Sequence, residues 1–244
     1  MPTRLQYIEP IRQVLAPHLG EPATVWRGFY QLLLWHEKGV PHIIDADKLD
    51  KGIWRDRAEA VDAALAKEFG CTVKEVPHRI DLLIKSSIFT KTPQRQNPLG
   101  IGFVTALFLS LQRFSAGKYE FLPEEAIGTT VFRGITEAPR SAPDIVVVKG
   151  GAEVAVISAK WSLRHDRLKD VKDECDYFKT LKGSLKFYAV TNEFDPARLD
   201  KIIGDYCVDA LFHVNRRLLV EVAQLDGRMK QLRDLSELLE LFST

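Results

Sequence analysis

The chain has 244 residues, of which 45% are hydrophobic and 27% are charged. This length and composition predict one folded unit over residues 1–244 with a sizeable core, or at most a core with a small helical appendage. The sequence has no internal repeat or low-complexity tract. Its 34 Lys and Arg residues are nearly balanced by 33 Asp and Glu residues. The net charge of +1 excludes a strongly basic or acidic protein, so any affinity for nucleic acid must come from a local basic surface.

Cysteine usage and hydropathy narrow the class of protein further. The three cysteines, Cys71, Cys175 and Cys207, are too few and too widely spaced for a disulfide scaffold, and no Cys/His spacing is typical of a zinc site. We therefore expect reduced cysteines in an intracellular protein. The longest uncharged apolar segment, 96–112, includes a proline and Ser/Thr residues, and its apolar part is too short to span a bilayer. We interpret it as a buried helix, with no role for a membrane.

The first 120 residues have a mostly helical pattern. In the segment 23–37, Val25, Phe29, Leu32 and Leu33 fall on one stripe, as expected for an amphipathic helix. Further helices are predicted at 57–69, which ends before Gly70, at 73–88, and at 99–114 after a polar loop at 91–98.

From residue 141 the pattern changes to strands alternating with helices. The β-branched run 145–148, the turn Gly150-Gly151 and the segment 153–159 predict a β-hairpin. There follow a helix at 165–181, a strand at 186–191, a helix at 196–203, a strand at 208–214, and one or two helices within 216–242. We predict an α/β fold with a mixed central β-sheet flanked by helices, in which residues 1–120 form a mostly helical part and 121–244 an α/β core.

Two charged residues stand at the ends of the predicted hairpin strands. Asp144 precedes the apolar run, and Lys160 follows a run of apolar and small residues. Charges at the ends of buried strands are costly unless they are paired or bind a metal. A two-residue loop without a bulge would turn the two side chains to opposite faces of the sheet, whereas an odd loop or a β-bulge would place Asp144 opposite Ser158, on the face of Lys160. We predict the second arrangement.

These residues carry a resemblance. Pro143-Asp144 followed by Ser158-Ala159-Lys160 resembles the PD-(D/E)XK nuclease motif, with Ser158 where the second acid usually stands. The segment from 157 to 174 is similar to type II restriction endonucleases that cut around CCGG. In that branch the second acid lies on the helix after the lysine strand, and the resemblance assigns this role to Glu174.

The resemblance implies a restriction-endonuclease-like core and a Mg²⁺-dependent, site-specific deoxyribonuclease. Asp144 and Glu174 supply the hard oxygen ligands that Mg²⁺ prefers, and Lys160 orients the attacking water and offsets developing charge. The implied partner is double-stranded DNA, bound by a homodimer or, alternatively, a tetramer, in the cytoplasm of a bacterium or archaeon. One or two metal ions are compatible with this residue set.

The start of the following helix is the candidate base-reading element. Arginine can donate two hydrogen bonds to guanine, and aspartate can accept one from the cytosine amino group. The resemblance assigns the reading of a CC/GG core in a palindromic site to Arg164, Asp166 and Arg167. Between residues 149 and 186 nine Lys and Arg outnumber six Asp and Glu, as suits a surface that faces phosphates.

Other residues are candidates for smaller roles. His165 lies within the reading cluster, Arg95 lies in a polar loop with suitable chemistry for groove contacts, and Ser158 stands beside the predicted metal site. We expect Trp161 to pack in the core rather than to stack on a base. The family usually has a further glutamate on an early helix, where this chain has Val104. Either Glu75 or Asp81 replaces that glutamate, or the enzyme functions without it.

Two alternative functions are compatible with parts of this pattern. Each residue alone has an ordinary interpretation: Asp144 as a turn residue, Lys160 as a surface lysine, and Glu174 as a solvated helix residue. A repair or structure-specific nuclease would keep the fold but lack sequence preference. A non-catalytic DNA-binding or protein-interaction module would tolerate the loss of Lys160.

Overall fold

The computed structural model describes residues 11–12, 15–33, 66, 72, 98–123, 143–161, 163, 165–223 and 231–243. The predicted helices at 57–69 and 73–88 lie outside these residues, apart from Ala66, which is helical. The polar loop at 91–98 lies outside them apart from Pro98.

The described residues contain a six-stranded sheet in which spatial order follows chain order. Its strands are β1 (Glu120–Pro123), β2 (Ile145–Lys149), β3 (Ala152–Lys160), β4 (Lys186–Thr191), β5 (Ala210–His213) and β6 (Leu232–Asp234). Strands β1 to β3 are antiparallel, and β3 to β6 are parallel. The ends of β3, β4 and β5 therefore meet at one edge of the sheet, where Lys160 pairs with Thr191 and Thr191 pairs with His213.

Helices flank this sheet, which confirms the predicted α/β class. They are α1 (Val25–Leu33), α2 (Pro98–Phe114), α3 (His165–Leu181), α4 (Pro196–Asp205), α5 (Arg216–Ala223) and α6 (Leu235–Leu241), with short 3-10 turns at Ala16–His18 and Pro22–Thr24. Helices α3, α4 and α5 connect the parallel strands, as parallel pairing requires.

Helices α2 and α3 cover opposite faces of β3. The ring of Trp161 lies edge-on to Phe103 of α2, with the ring centroids 5.1 Å apart, whereas the Lys160 amine reaches α3. Consecutive side chains of an extended chain point to opposite faces, so these contacts assign one helix to each face. Trp161 is only 6% exposed, which confirms its predicted packing in the core.

Helix α2 is buried along most of its length, as the sequence predicts for the segment 96–112. Phe103, Leu107 and Leu111 are almost inaccessible to solvent, and the Ser110 hydroxyl donates to the Ala106 carbonyl at 2.8 Å, which satisfies this polar group inside the core. None of the helices in the described ranges combines the length and hydropathy needed to cross a lipid bilayer.

A β-bulge sets the register of the β2–β3 hairpin. The turn has two residues, Gly150 and Gly151, with φ values of +59° and +79° that glycine adopts readily. Val148 pairs with Glu153 but Val147 pairs with Ala155, so Val154 is an extra residue in β3. Beyond the bulge Ile145 pairs with Ile157. The predicted bulge is confirmed, and it places Asp144 opposite Ser158.

Two strands were not predicted from the sequence. Strand β1 has only four residues and ends at Pro123, and β6 has three residues directly before α6. Both lie at the edges of the sheet, where short strands and proline are tolerated because one side needs no partner. Strand β5 is also shorter than its predicted range of 208–214.

The expectation that the cysteines are reduced is wrong for Cys175 and Cys207, which form a disulfide. Cys175 lies in α3, and Cys207 lies in the segment between α4 and β5, with 6.0 Å between their Cα atoms. They are 32 residues apart in the sequence, and it is the packing of α3 against α4 that brings them together. This pairing cannot be predicted from the spacing of the cysteines along the chain.

Candidate active site

Asp144 lies directly before β2, and its carboxylate is held against β3. The residue is 6% exposed, and its Oδ2 accepts a hydrogen bond from the Ala159 backbone N–H at 2.8 Å. The same oxygen accepts from the Lys160 ammonium at 3.0 Å. The bulged register produces both contacts, because it puts Asp144 opposite Ser158 and next to the end of β3.

Glu174 of α3 completes this cluster from the neighbouring helix. Its Oε1 lies 3.1 Å from Lys160 Nζ, and its side chain is only 1% exposed. Because Lys160 contacts both acids, the Asp144 and Glu174 oxygens can be no more than about 6 Å apart. Val171 and Phe178 of α3 are fully buried and anchor this helix in the core. The structure thus brings together three residues that the sequence separates by up to thirty positions.

The electrostatics of the cluster keep Lys160 charged. Burial alone would lower the pKa of the Lys160 amine, but the nearby Asp144 and Glu174 carboxylates outweigh burial and raise this pKa above its usual value. The amine is therefore an ammonium at neutral pH, a hydrogen-bond donor and a positive charge rather than a base.

The donor set fits a divalent cation with hard-ligand preference. Two buried carboxylates face one ammonium, which leaves a formal excess of one negative charge at the cluster. Carboxylate oxygens suit Mg²⁺, which usually takes one or two such ligands and fills its remaining positions with water and phosphate. Within the described ranges no group of three or more Asp, Glu, His or Cys residues could hold a metal ion. The candidate ligand set is the Asp144–Glu174 pair, since both carboxylates lie within 3.1 Å of the Lys160 amine.

The residues predicted for smaller roles at this site are Ser158, Arg95 and, in place of Val104, Glu75 or Asp81. Ser158 is fully buried, and its hydroxyl has no hydrogen-bond partner among the described residues. Val104 is buried on α2, the helix on the other face of β3 from Glu174. Arg95, Glu75 and Asp81 lie outside the described residues.

Two of the three predicted base-reading residues, Asp166 and Arg167, lie in the first turn of α3. His165 and Asp166 form its first turn, where only their backbone is described, and Arg164 lies outside the described residues. Arg167 Nη1 contacts Asp170 Oδ2 at 3.2 Å, with side chains 42% and 43% exposed. An ion pair this exposed stabilises little, so the Arg167 guanidinium can exchange Asp170 for another partner at low cost.

A third buried carboxylate, which was not predicted from the sequence, lies just after β4, the strand whose last residue pairs with Lys160. Glu193 follows β4 and is only 2% exposed. Its Oε2 accepts from the Leu163 backbone N–H at 2.8 Å and from Arg198 Nη1 at 3.0 Å. An acid that follows the predicted strand at 186–191 and directly precedes Phe194 is the pattern that could have revealed it.

His213, at the end of β5, is a buried neutral histidine. It is fully inaccessible, and its Nδ1 accepts a hydrogen bond from the Asn215 backbone N–H at 3.1 Å, which puts the ring proton on Nε2. Its ring lies edge-on to Phe194 with centroids 5.0 Å apart. Burial lowers the pKa of His213 from 6.5 to about 4.

We expect this histidine to make the fold sensitive to acid. Between pH 6.5 and pH 4 the unfolded chain binds a proton that the folded chain excludes, so the stability present above pH 6.5 is lost as the pH falls. Lowering the pH from 7.5 to 5 should cost about 2 kcal/mol through this group. Urea unfolding at both pH values should show a smaller pH dependence for His213→Asn than for wild type. The control His18→Gln should keep the wild-type dependence, and equal dependences in all three proteins would contradict the assignment.

Comparisons with known proteins give an overall likeness only. No protein-family model matches the chain, and no curated protein matches it. Among solved structures it is similar to the complex of restriction endonuclease PspGI with substrate DNA, with a TM-score of 0.49, 14% identity, and 99% of this chain and 92% of that chain covered. It is also similar to metal-depleted Ecl18kI in complex with uncleaved DNA, with a TM-score of 0.41, 14% identity, and 99% and 84% covered. At this level of similarity, function has to be inferred from the Asp144, Lys160 and Glu174 cluster.

Proposed function

We propose that the chain is a Mg²⁺-dependent endonuclease that hydrolyses phosphodiester bonds in double-stranded DNA at a specific site. The observation that carries the proposal is the Lys160 ammonium within 3.1 Å of two buried carboxylates at the end of the β2–β3 hairpin. An isolated structural ion pair needs one acid, and a second buried acid adds a desolvation cost. A site that binds a divalent cation and a phosphate gives both acids and the amine a role.

Asp144 and Glu174 are the proposed ligands of the ion. When bound, Mg²⁺ supplies positive charge to the scissile phosphate and lowers the pKa of a bound water. The Ala159 N–H holds the Asp144 carboxylate in place through its 2.8 Å hydrogen bond. Helix α3, anchored through its buried side chains, holds Glu174. Both ligands are therefore positioned before any ion or substrate arrives.

Lys160 has the proposed role of stabilising charge. Its ammonium carries three N–H donors, and with its pKa raised it keeps them at neutral pH. Such a group can hydrogen-bond the attacking water and the phosphate oxygens, where negative charge develops in the transition state. Because the amine stays protonated, the proton released by the water goes to another acceptor, such as solvent or a phosphate oxygen.

The proposed specificity is a palindrome with a CC/GG core, read by Arg164, Asp166 and Arg167. Arg167 supports it because its guanidinium is half exposed at the start of α3, the helix that also carries Glu174. Reading and cutting elements would then be parts of one rigid helix. A palindrome is matched by a two-fold symmetric homodimer in which each subunit cuts one strand, and a tetramer can be built from two such dimers.

The experiment that tests this proposal is digestion of plasmid DNA in Mg²⁺, followed by sequencing of the fragment ends. We expect discrete fragments whose ends share a CCGG core, and no cutting in EDTA. Protein carrying Lys160→Met, purified in parallel, controls for contaminating nuclease.

The other outcomes identify the alternatives. Random nicking that depends on Lys160 would contradict site specificity and favour a repair or structure-specific nuclease. Absence of cutting with Mg²⁺ or Mn²⁺ on any DNA tested would contradict the enzyme and favour a non-catalytic module.

A further inference from the structure

The buried carboxylate of Glu193 is not part of the Asp144, Lys160 and Glu174 cluster, yet it is one of the most completely hydrogen-bonded groups in the described part of the chain. Besides the Leu163 N–H and Arg198 on Oε2, its Oε1 accepts from the Phe194 and Asp195 N–H groups, each at 3.0 Å. Four donors on one carboxylate offset the cost of burying it, and they fix its position.

The Glu193 carboxylate lies beside the segment that follows Lys160. Strand β4 ends next to Lys160, because Lys160 pairs with Thr191. Immediately beyond, the Asn192 N–H donates to the Trp161 carbonyl at 3.1 Å, and Glu193 Oε2 accepts from the Leu163 N–H at 2.8 Å. The turn after β4 therefore holds the link between Lys160 and α3 at two points.

Under the proposed function, this link joins two functional elements. Lys160 stands before it, and the N-terminus of α3, which the sequence predicts to read bases, stands after it. Leu163 contributes a buried side chain in addition to its backbone contact, so the link is held by packing and by hydrogen bonding. A shift in its path would move the reading end of α3 relative to the ammonium of Lys160.

We propose that Glu193 is a positioning residue that couples base reading to hydrolysis by holding the Leu163 backbone, which lies between Lys160 and α3. This inference rests on the proposed function. Arg198 is its supporting partner, because the Arg198–Glu193 contact at 3.0 Å lies between side chains that are 16% and 3% exposed. Both carboxylate oxygens of Glu193 are occupied by the four donors named above, so the proposal assigns Glu193 no contact with DNA or the reacting groups. It acts through the Leu163 backbone.

The test compares Glu193→Gln with Asp195→Ala. Gln keeps the size of the side chain but loses charge and one acceptor oxygen. Asp195 is a matched control from the same turn: it caps α4 through the Ala197 N–H and contacts Arg198, with no contact to 161–163 among its hydrogen bonds and ion pairs in the described structure. Both variants lose a hydrogen-bonding group of this turn, but only one touches the link.

Two readouts separate positioning from stability. Hydrogen exchange should be faster by about tenfold or more at the Leu163 amide in Glu193→Gln and unchanged there in Asp195→Ala. Discrimination is the kcat/KM for the preferred site divided by the kcat/KM for sites with one changed base. In Glu193→Gln it should fall by about tenfold or more, because kcat on the preferred site falls. Asp195→Ala should keep the wild-type ratio even though its Tm falls.

Each remaining outcome has a defined meaning. Unchanged exchange at Leu163 in Glu193→Gln, or equal loss of discrimination in both variants, would overturn the positioning role. Wild-type protein that cuts no DNA would overturn the proposed function and with it the coupling, while the exchange result would still report separately whether Glu193 holds the link.

Discussion

Replacing Glu174 with Gln is expected to reduce Mg²⁺-dependent DNA cleavage by about 10³-fold, the order of effect seen when a preorganised group at a reacting centre is removed. Gln keeps the volume of the buried side chain but replaces a charged oxygen ligand with a neutral amide. The side chain is 1% exposed, and the uncharged amide oxygen is a weaker ligand for a hard cation than the carboxylate that it replaces. The measurement is the single-turnover cleavage rate on the preferred site at saturating Mg²⁺.

The control for this prediction is Asp173→Asn, which removes a carboxylate from the neighbouring, exposed position of α3. It should cleave at the wild-type rate. A thermal melt gives a second readout, because an ion that binds only the folded chain raises its Tm. Mg²⁺ should raise the Tm of wild type and of Asp173→Asn but not that of Glu174→Gln. Retention of cleavage and of the Mg²⁺ shift by Glu174→Gln would remove Glu174 from the site.

Replacing Lys160 with Met is expected to have two effects: slower DNA cleavage in Mg²⁺, and lower stability of the protein without metal. Cleavage should fall by about 10²- to 10³-fold, because the ammonium that offsets developing charge is lost. The metal-free protein should also lose about 3 to 5 kcal/mol of stability, because Asp144 and Glu174 are left buried without their shared cation. Added Mg²⁺ should restore much of that stability, since the ion takes over the neutralisation of the two carboxylates. Binding of DNA should persist.

The matched control for Lys160 is Lys172→Met on the exposed side of α3. Lys172 contacts Asp176 at 2.6 Å, but both side chains are about half exposed, so its loss should change stability far less than the loss of Lys160. It should leave both cleavage and the response to Mg²⁺ unchanged. If Lys160→Met were as stable as wild type without metal, the two carboxylates would not depend on its charge. If it cut DNA at the wild-type rate, Lys160 would have no role in hydrolysis.

Strands β2 to β5 could be predicted from the sequence because their apolar runs are distinct and are bounded by turn residues or helical segments. Strand β4 at 186–191 and helix α3 at 165–181 have the predicted bounds. The bulge was predictable for a different reason, since only one register puts Asp144 and Lys160 on one face. Strands β1 and β6 were missed because three or four residues at a sheet edge have too little periodicity to distinguish them from loop.

The features that were not predicted from the sequence, the role of Glu193 and the disulfide, depend on contacts between distant segments. Glu193 becomes significant only when the turn after β4 packs beside Leu163, thirty residues earlier in the chain. The Cys175–Cys207 disulfide likewise depends on the packing of α3 against α4. In both cases the residue type alone has an ordinary interpretation, as an acid in a turn or a cysteine in a helix. It is burial together with a specific partner that distinguishes these residues.

The most direct measurement of the central claim is the position of a bound ion. Crystals of the protein soaked in Mn²⁺, which substitutes for Mg²⁺ and scatters anomalously, would locate it. We predict an anomalous peak within about 2 Å of one carboxylate oxygen from Asp144 and one from Glu174, with Lys160 displaced from at least one of them. A protein that cuts DNA in Mn²⁺ but binds the ion elsewhere, with Lys160 still joined to both acids, would contradict the account.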